Sequence, residues 1–358
     1  MLYINGRFLT QSVTGVQRFA YEITNELLKI KNNNIIVLVP RDKIYPNYNI
    51  SGWNIKYIGF GKGYFWEQVI LPFYLTTNKS PLLISLCNLS PIFYKNKITV
   101  VHDLAVIEHP EWFNWKFVLF YNLTLKSILY YSKFIITVSN FSKSRIKKIY
   151  GIQSAKIGVV YNAVSKKLYM NENIKCTNLF FNFLTTQKFI LCVASIDLRK
   201  NFKRILEAFN LLKISDLHLV IVGKRSQVFE KNDFETEIND HIHFIGYVSD
   251  EELFWLYYHT LFFIYLSLYE GFGIPPLEAM ANGCPVLLSD IPVHKELYGD
   301  AAFFVNPYSV ENIKLGMNEL FSNELLRNEL ARKGYDTCRK FSWNKSAQVF
   351  SEFILKSN

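Results

Sequence analysis

Short β-branched and aromatic runs alternate with longer helical patterns along the chain, and that alternation leaves few folds open. In the first half, Leu2 to Ile4, Ile35 to Val39, Leu82 to Ser85, Thr99 to Val101, Phe134 to Val138 and Ile157 to Val160 read as strands, with helices over Val16 to Lys31 and Asn140 to Tyr150. A second alternation follows the polar stretch Ser165 to Thr177, with strands at Phe189 to Ala194, Leu217 to Val222, Ile242 to Phe244, Leu261 to Leu266 and Val286 to Leu288. Strands separated by helices predict parallel, doubly wound α/β sheets, so the reading is two Rossmann-like domains. Ligands in such sheets collect at the carboxyl ends of the strands. Asn32 to Asn34 reads as a plain loop, and no internal repeat stands out.

A chain of 358 residues is too long for one ordinary core, and 50 % hydrophobic with 20 % charged residues describes a globular protein. The cysteines, Cys87, Cys176, Cys192, Cys284 and Cys338, form no Cys-x-x-Cys pair and have no histidine at ligand spacing. That argues against a disulfide frame and a structural zinc site, and fits a reducing cytoplasm. Leu2-Tyr-Ile4 runs at once into polar Asn5-Gly-Arg7, so no signal peptide is expected. Leu253 to Tyr269 carries no formal charge but divides into a helix begun by Ser249-Asp-Glu-Glu252 and a buried strand, and reads as core rather than membrane.

The stretch Ser267-Leu-Tyr-Glu270-Gly-Phe-Gly-Ile-Pro-Pro-Leu-Glu278-Ala-Met-Ala-Asn-Gly283 carries the strongest functional signal. Pro275 and Pro276 fit only the first turn of a helix, which Asn282-Gly283 closes. Gly271 and Gly273 let the backbone approach a ligand, and amides just ahead of Leu277 are unpaired donors at the positive end of a helix. Glu270 leaves the strand, Glu278 is placed in the first helical turn, and each can accept from the hydroxyls of a polyol. Without a ligand, Glu278 would only complement the helix dipole and Glu270 would only end a strand. The spacing suits a sugar nucleotide.

The stretch resembles the Glu-x7-Glu signature of the retaining family 4 glycosyltransferases, in Glu270-Gly-Phe-Gly and Pro276-Leu-Glu278-Ala-Met-Ala. That resemblance implies the GT-B fold, two facing Rossmann-like doubly wound domains with an interdomain cleft. The domains are expected at 1–168 for the acceptor and 169–340 for the nucleotide sugar, with the helix from Trp343 to Leu355, in 341–358, returning to the first domain. It also implies that Glu278 holds the ribose, Glu270 touches the donor sugar, and the amides of Gly271, Phe272, Gly273 and Ile274 contact sugar and diphosphate.

Four further sites fall at strand ends. Ser195-Ile-Asp-Leu-Arg199-Lys200-Asn201 places two cations where they can neutralise a departing diphosphate, and is similar to the family's diphosphate-binding loop. Lys200 is the family-matched residue. Many members carry arginine where this chain has Ser195, so either Arg199 or Arg204 supplies the second positive contact. A solvated charged loop is the plain alternative. Val100-Val-His102-Asp103 resembles the first-domain loop whose histidine faces the donor sugar, with Asp103 able merely to cap the next turn. His102 is expected as a sugar contact or a base. Thr14-Gly15 opens the first long helix where the family often has two glycines, so Gly15 would admit phosphates and acceptor. Val222-Gly223-Lys224 and Gly246-Tyr247-Val248 are implied nucleobase contacts, although ordinary turn glycines would look the same.

No Asp-x-Asp pair is present to hold Mg²⁺ or Mn²⁺, so no metal or other cofactor is expected. The implied reaction is hexosyl transfer from a UDP-sugar or GDP-mannose to a hydroxyl of a lipid-diphosphate-linked oligosaccharide, in O-antigen or capsule assembly. Retention comes from the family, whose usual proposal is front-face attack assisted by the departing phosphate. A GT-B-fold sugar-nucleotide epimerase and a non-catalytic nucleotide-sugar-binding protein are the alternatives.

Charge locates the second substrate. Residues 1–165 hold 19 Lys/Arg against 7 Asp/Glu, a balance of +12, whereas residues 166–358 hold 21 against 23. Trp112, Phe113, Trp115, Phe117, Phe120 and Tyr121 lie near the cluster Lys143, Arg145, Lys147 and Lys148 in this basic half. Such a mixture suits an anionic membrane face better than nucleic acid, for which no binding motif is present. The expected location is cytoplasmic, peripheral on the inner membrane face. The alternative is that these aromatics are core and the charge is a solvated face.

Overall fold

Val, Ile and Leu fill the strands of two separate parallel sheets, because strands covered by helices on both faces have no side turned to water. The computed structural model describes residues 2–31, 34–165, 179–223 and 237–357. Asn32, Asn33, most of the polar stretch 165–177 with Cys176 and the expected 168/169 boundary, and Lys224 lie outside them. The chain divides into two compact units, Met1–Asn162 with Ser342–Asn358, and Ala163–Phe341.

In the first unit seven strands, β1 (Leu2–Asn5), β2 (Ile35–Val39), β3 (Ile55–Tyr57), β4 (Leu82–Ser85), β5 (Lys97–Val100), β6 (Phe134–Thr137) and β7 (Ile157–Val159), lie in the order β3-β2-β1-β4-β5-β6-β7. Every position of β1, β4 and β5 is buried. β3 was not expected: Ile-Lys-Tyr shows no apolar run, since Lys56 and Tyr57 face solvent at the sheet edge. The helix Asn140–Tyr150 starts on the Ser139 hydroxyl, which accepts from the Ser142 amide, and stops at Gly151 in the left-handed region. The last helix, Trp343–Lys356, belongs to this unit: Trp343 packs on Phe19, and Lys133 Nζ donates to Ser357 O at 2.6 Å.

In the second unit six strands, β8 (Lys188–Val193), β9 (Leu217–Val222), β10 (Ile242–Gly246), β11 (Phe263–Tyr265), β12 (Val286–Ser289) and β13 (Phe303–Val305), run in the order β10-β9-β8-β11-β12-β13. The run Leu261 to Leu266 was expected to be strand throughout, yet β11 keeps only Phe263–Tyr265; Phe262 and Leu266 are buried and Leu261 partly buried as connection. Ser249 and Glu252 close a capping box on the helix Asp250–His259, as the sequence led one to expect. Both sheets change winding direction once, between β1 and β4 and between β8 and β11. Ligands in open α/β sheets bind outside the carboxyl ends of strands at such points.

The aromatic run after Trp112 differs from expectation. Tyr121 is buried, Phe113, Phe117 and Phe120 are partly buried against the core behind β5 and β6, Trp112 stacks on His109, and Arg145 is held by Glu108. Of the six aromatics named for a membrane face, Trp115 is the one with most of its surface exposed; the helix Trp115–Tyr131 turns Phe117, Phe120 and Tyr121 inward, and Trp112 and Phe113 lie in the turn before it. Among the described residues no helix is long and apolar enough to cross a membrane.

Candidate functional site

The two loops that follow β8 and β11 meet at the second switch point. Leu268 N donates to Arg199 O at 2.8 Å, which fixes one loop against the other, and the Ser289 hydroxyl, at the end of β12, donates to Ser267 O at 2.7 Å. This brings Arg199, Lys200 and Glu270 together from positions seventy residues apart. Lys200 Nζ lies 2.5 Å from Glu270 Oε1, and Arg199 Nη1 lies 3.0 Å from Glu270 Oε2. Tyr265, the last residue of β11, donates its hydroxyl to Glu270 Oε1 at 2.9 Å and accepts from Lys200 Nζ at 2.6 Å.

Burial alone would raise the Glu270 carboxyl, but Arg199 and Lys200 hold it well below the usual carboxylate range. Burial and the neighbouring Arg199 lower the Lys200 ammonium against the pull of Glu270. The Tyr265 phenol, buried beside the carboxylate, is pushed far up and stays protonated. Two cations sharing one carboxylate suit an additional anion, which would relieve their mutual repulsion. Asp197 stands nearby, with Oδ2 accepting from Ser195 Oγ at 2.7 Å and Oδ1 buried without a hydrogen bond. Arg204 points elsewhere, to Asn201 Oδ1 at 2.9 Å and the Tyr308 ring, so Arg199 is the arginine that accompanies Lys200.

The glycine turn leads into the helix Ile274–Ala281. Gly273 caps that helix with φ +90°, a conformation that side chains rarely adopt, and a Cβ there would meet Tyr265, His294 and Tyr298 only at ordinary contact distances of 3.4 to 3.6 Å. The Tyr298 hydroxyl donates to Gly273 O. The sequence placed Glu278 in the first turn with donor amides just ahead of Leu277, and both points need correction. Glu278 is the fifth helical residue, in the second turn, and Pro275 and Pro276 carry no N–H, so the amides at this end are those of Gly271 to Ile274. Glu278 is buried and accepts from Tyr257 at 3.3 Å. The Phe272 side chain packs edge-on against Phe341.

Gly223, at φ +151°, has a structural reason of its own: a Cβ there would lie 1.9 Å from Ala194 O, at the crowded ends of β8 and β9. Tyr247 is largely exposed beyond β10, with Val248 half-buried behind it.

In the first unit, His102 follows β5 as a buried ring. Its Nε2 lies 2.9 Å from Leu86 O, its backbone N–H donates to Asn88 Oδ1, and Phe19 packs edge-on at 4.9 Å. Burial lowers its basicity. Asp103 Oδ1 accepts from Ala105 N, the capping role. Gly15 begins the helix Gly15–Lys31 and is exposed. The sequence missed the polar group at this unit's switch point: Asn5 Nδ2 donates to Glu67 Oε1 at 2.6 Å, Arg7 Nε lies 3.3 Å from the same atom, and Glu67 Oε2 is buried without a hydrogen bond. Glu67 sits in a π-helical turn, Trp66–Ile70, which no residue pattern announces. Tyr265, His294 and Tyr298 were missed because as strand-end and helix residues they read as core, whereas Asp197 lies inside the cation loop, of which only the cations were singled out.

Two parallel Rossmann-like domains, with a cation pair and a glycine turn at the second switch point, have the fold of the GT-B glycosyltransferases. Residues 179–337 match the model of the family described as "Glycosyl transferases group 1". The chain is 29% identical over 282 residues to the O-antigen chain mannosyltransferase B of Escherichia coli, covering 74% of this chain and 73% of that one. It is 31% identical over 215 residues to the O-antigen chain mannosyltransferase RfbU of Salmonella typhimurium, covering 60% and 57%. Among solved structures, Anabaena Alr3699/HepE in complex with UDP and glucose superposes with a TM-score of 0.77 at 15% identity, over 99% of this chain and 98% of that one. WaaG, a glycosyltransferase involved in lipopolysaccharide biosynthesis, gives 0.75 at 13% identity over 99% of each.

Proposed function

We propose that this glycosyltransferase moves a hexosyl group from a nucleotide diphosphate sugar to a hydroxyl of a lipid-diphosphate-linked glycan, in O-antigen-type polysaccharide assembly at the cytoplasmic membrane face. The names of its relatives favour mannose. The observation that carries the reading is the cluster of Arg199, Lys200, Tyr265 and Glu270 at the β8/β11 switch point. Arg199 and Lys200 take the charge that develops on the leaving diphosphate, so the transfer runs without a metal ion. Glu270 meets the hydroxyls of the reacting sugar, Glu278 the ribose, and the amides from Gly271 to Ile274 the sugar and phosphates. The bond between the anomeric carbon and phosphate oxygen breaks, the acceptor oxygen bonds to that carbon on the same face, and a phosphate oxygen takes the hydroxyl proton. His102 contacts the donor sugar, Gly15 admits the phosphates, and Gly223, Tyr247 and Val248 border the nucleobase.

The test is a panel of GDP-mannose and UDP-hexoses, each incubated with and without a polyprenyl-diphosphate glycan in buffer containing EDTA. Acceptor-dependent nucleotide release supports the proposal. Epimer formation without acceptor, binding without turnover, or release that needs added Mg²⁺ would replace its corresponding part. Within that assay Lys200→Ala should lower turnover about 10²- to 10³-fold, Glu270→Ala should lower turnover more than donor affinity, and Glu278→Ala should mainly weaken donor affinity.

A further inference from the structure

Two helical stripes in the first unit are apolar and face outward. In the helical run 63–77, Phe65, Val69 and Phe73 follow one another at intervals of four, and in the helix Trp115–Tyr131 so do Trp115, Leu119 and Leu123. All six are 50 to 70% exposed. Residues four apart share one helix face, so each set is a continuous stripe. Tyr64 and Phe120 pack with ring centroids 5.1 Å apart, which makes the two runs neighbours. Lysines border them: exposed Lys62 ahead of the first run, Lys116 with its ammonium 5.6 Å from the Trp115 ring, and exposed Lys126 one turn beyond Leu123.

We propose that these stripes form one surface that inserts into the interfacial layer of an anionic lipid bilayer, with the lysines on its headgroups. Aromatic and aliphatic side chains rimmed by long cationic ones match the layered polarity of that interface. The basic excess of residues 1–165, 19 Lys/Arg against 7 Asp/Glu, is complementary to anionic lipid. A second copy on the same face would bring like charges together. The inference rests on the lipid-linked acceptor reading and deepens it by naming the surface that meets the lipid. It also moves the apolar contact away from the segment 143–148, where Arg145 is paired with Glu108.

Sedimentation with phosphatidylglycerol/phosphatidylcholine vesicles, and with phosphatidylcholine alone, tests the proposal. The protein should pellet with the anionic vesicles and lose only part of that binding in high salt, because the apolar component is not screened. A variant carrying Phe73→Ser, Leu119→Ser and Leu123→Ser should lose about tenfold or more of the affinity while melting as wild type, since all three side chains are exposed. Replacing Lys143, Lys147 and Lys148 by Gln should change affinity about twofold or less. The proposal is overturned if the protein ignores both vesicles, if the lysine variant loses binding and the stripe variant keeps it, or if gel filtration shows a dimer that the stripe variant makes monomeric. Nucleotide release with a short-chain, water-soluble acceptor is read in the same preparations. Its absence sinks the transfer reading alone, and its persistence in the stripe variant separates docking from chemistry.

Discussion

His294 lies directly behind the glycine turn, fully buried, with Nδ1 3.2 Å from Ser289 O and Nε2 lacking a hydrogen bond. Burial pulls its pKa down to about 4, opposed by the Glu270 carboxylate and the Ser289 carbonyl. A histidine that folds into a neutral state binds fewer protons than its unfolded counterpart, so its effect on stability is absent above pH 6.5 and grows as pH falls toward 4. Between those limits the wild type should lose on the order of 3 kcal/mol more than a His294→Gln variant. Urea unfolding of both proteins at a series of pH values checks this; parallel curves would show that the ring titrates normally. Glu270 acts lower on the scale: its carboxyl is depressed, so its contribution is present above the ordinary carboxylate range and is lost as pH falls below it.

At the scale of single elements, local signals explain where helices begin and stop. The Ser249 hydroxyl accepts from Glu252 N at 3.2 Å, and the Glu252 carboxylate accepts from Ser249 N at 2.8 Å, satisfying two amides that the helix leaves open. Ser249→Ala should cost about 1 kcal/mol, read as a shift of the urea midpoint with unchanged slope. The same segment, Leu253 to Tyr269, looked nearly long enough for a membrane span, and the polar cap at its head together with Thr260 at its middle divides it into helix and strand. The signature helix shows the limit of local reading. Its paired prolines mark the N-terminus correctly, yet they remove two of the amide donors that a helix end would otherwise offer.

Across the whole molecule, the last helix closes the first unit from the far end of the chain. Phe350 is fully buried in it, so Phe350→Ala should destabilise the first unit by about 3–5 kcal/mol. Hydrogen exchange should then accelerate in β6 and β7 while β8 and β9 keep their protection; equal acceleration in both sheets would mean the units unfold as one. By itself the sequence determined the two parallel sheets, most strand positions, the glycine turn and the residues of the cation loop, because strand runs, caps and glycines act within a few residues of their own position. It missed the edge strands β3, whose Ile-Lys-Tyr shows no apolar run, and β13, whose Phe303-Phe-Val305 is only three residues long. Only the tertiary structure decided that Arg199 rather than Arg204 accompanies Lys200, that Tyr265 and His294 back the site, that Glu67 is buried against Arg7, and that Phe113, Phe117, Phe120 and Tyr121 turn toward the core. Those outcomes depend on which strand ends become neighbours and which helix face turns inward. They are settled by packing between residues far apart in sequence, which no local pattern of side chains records.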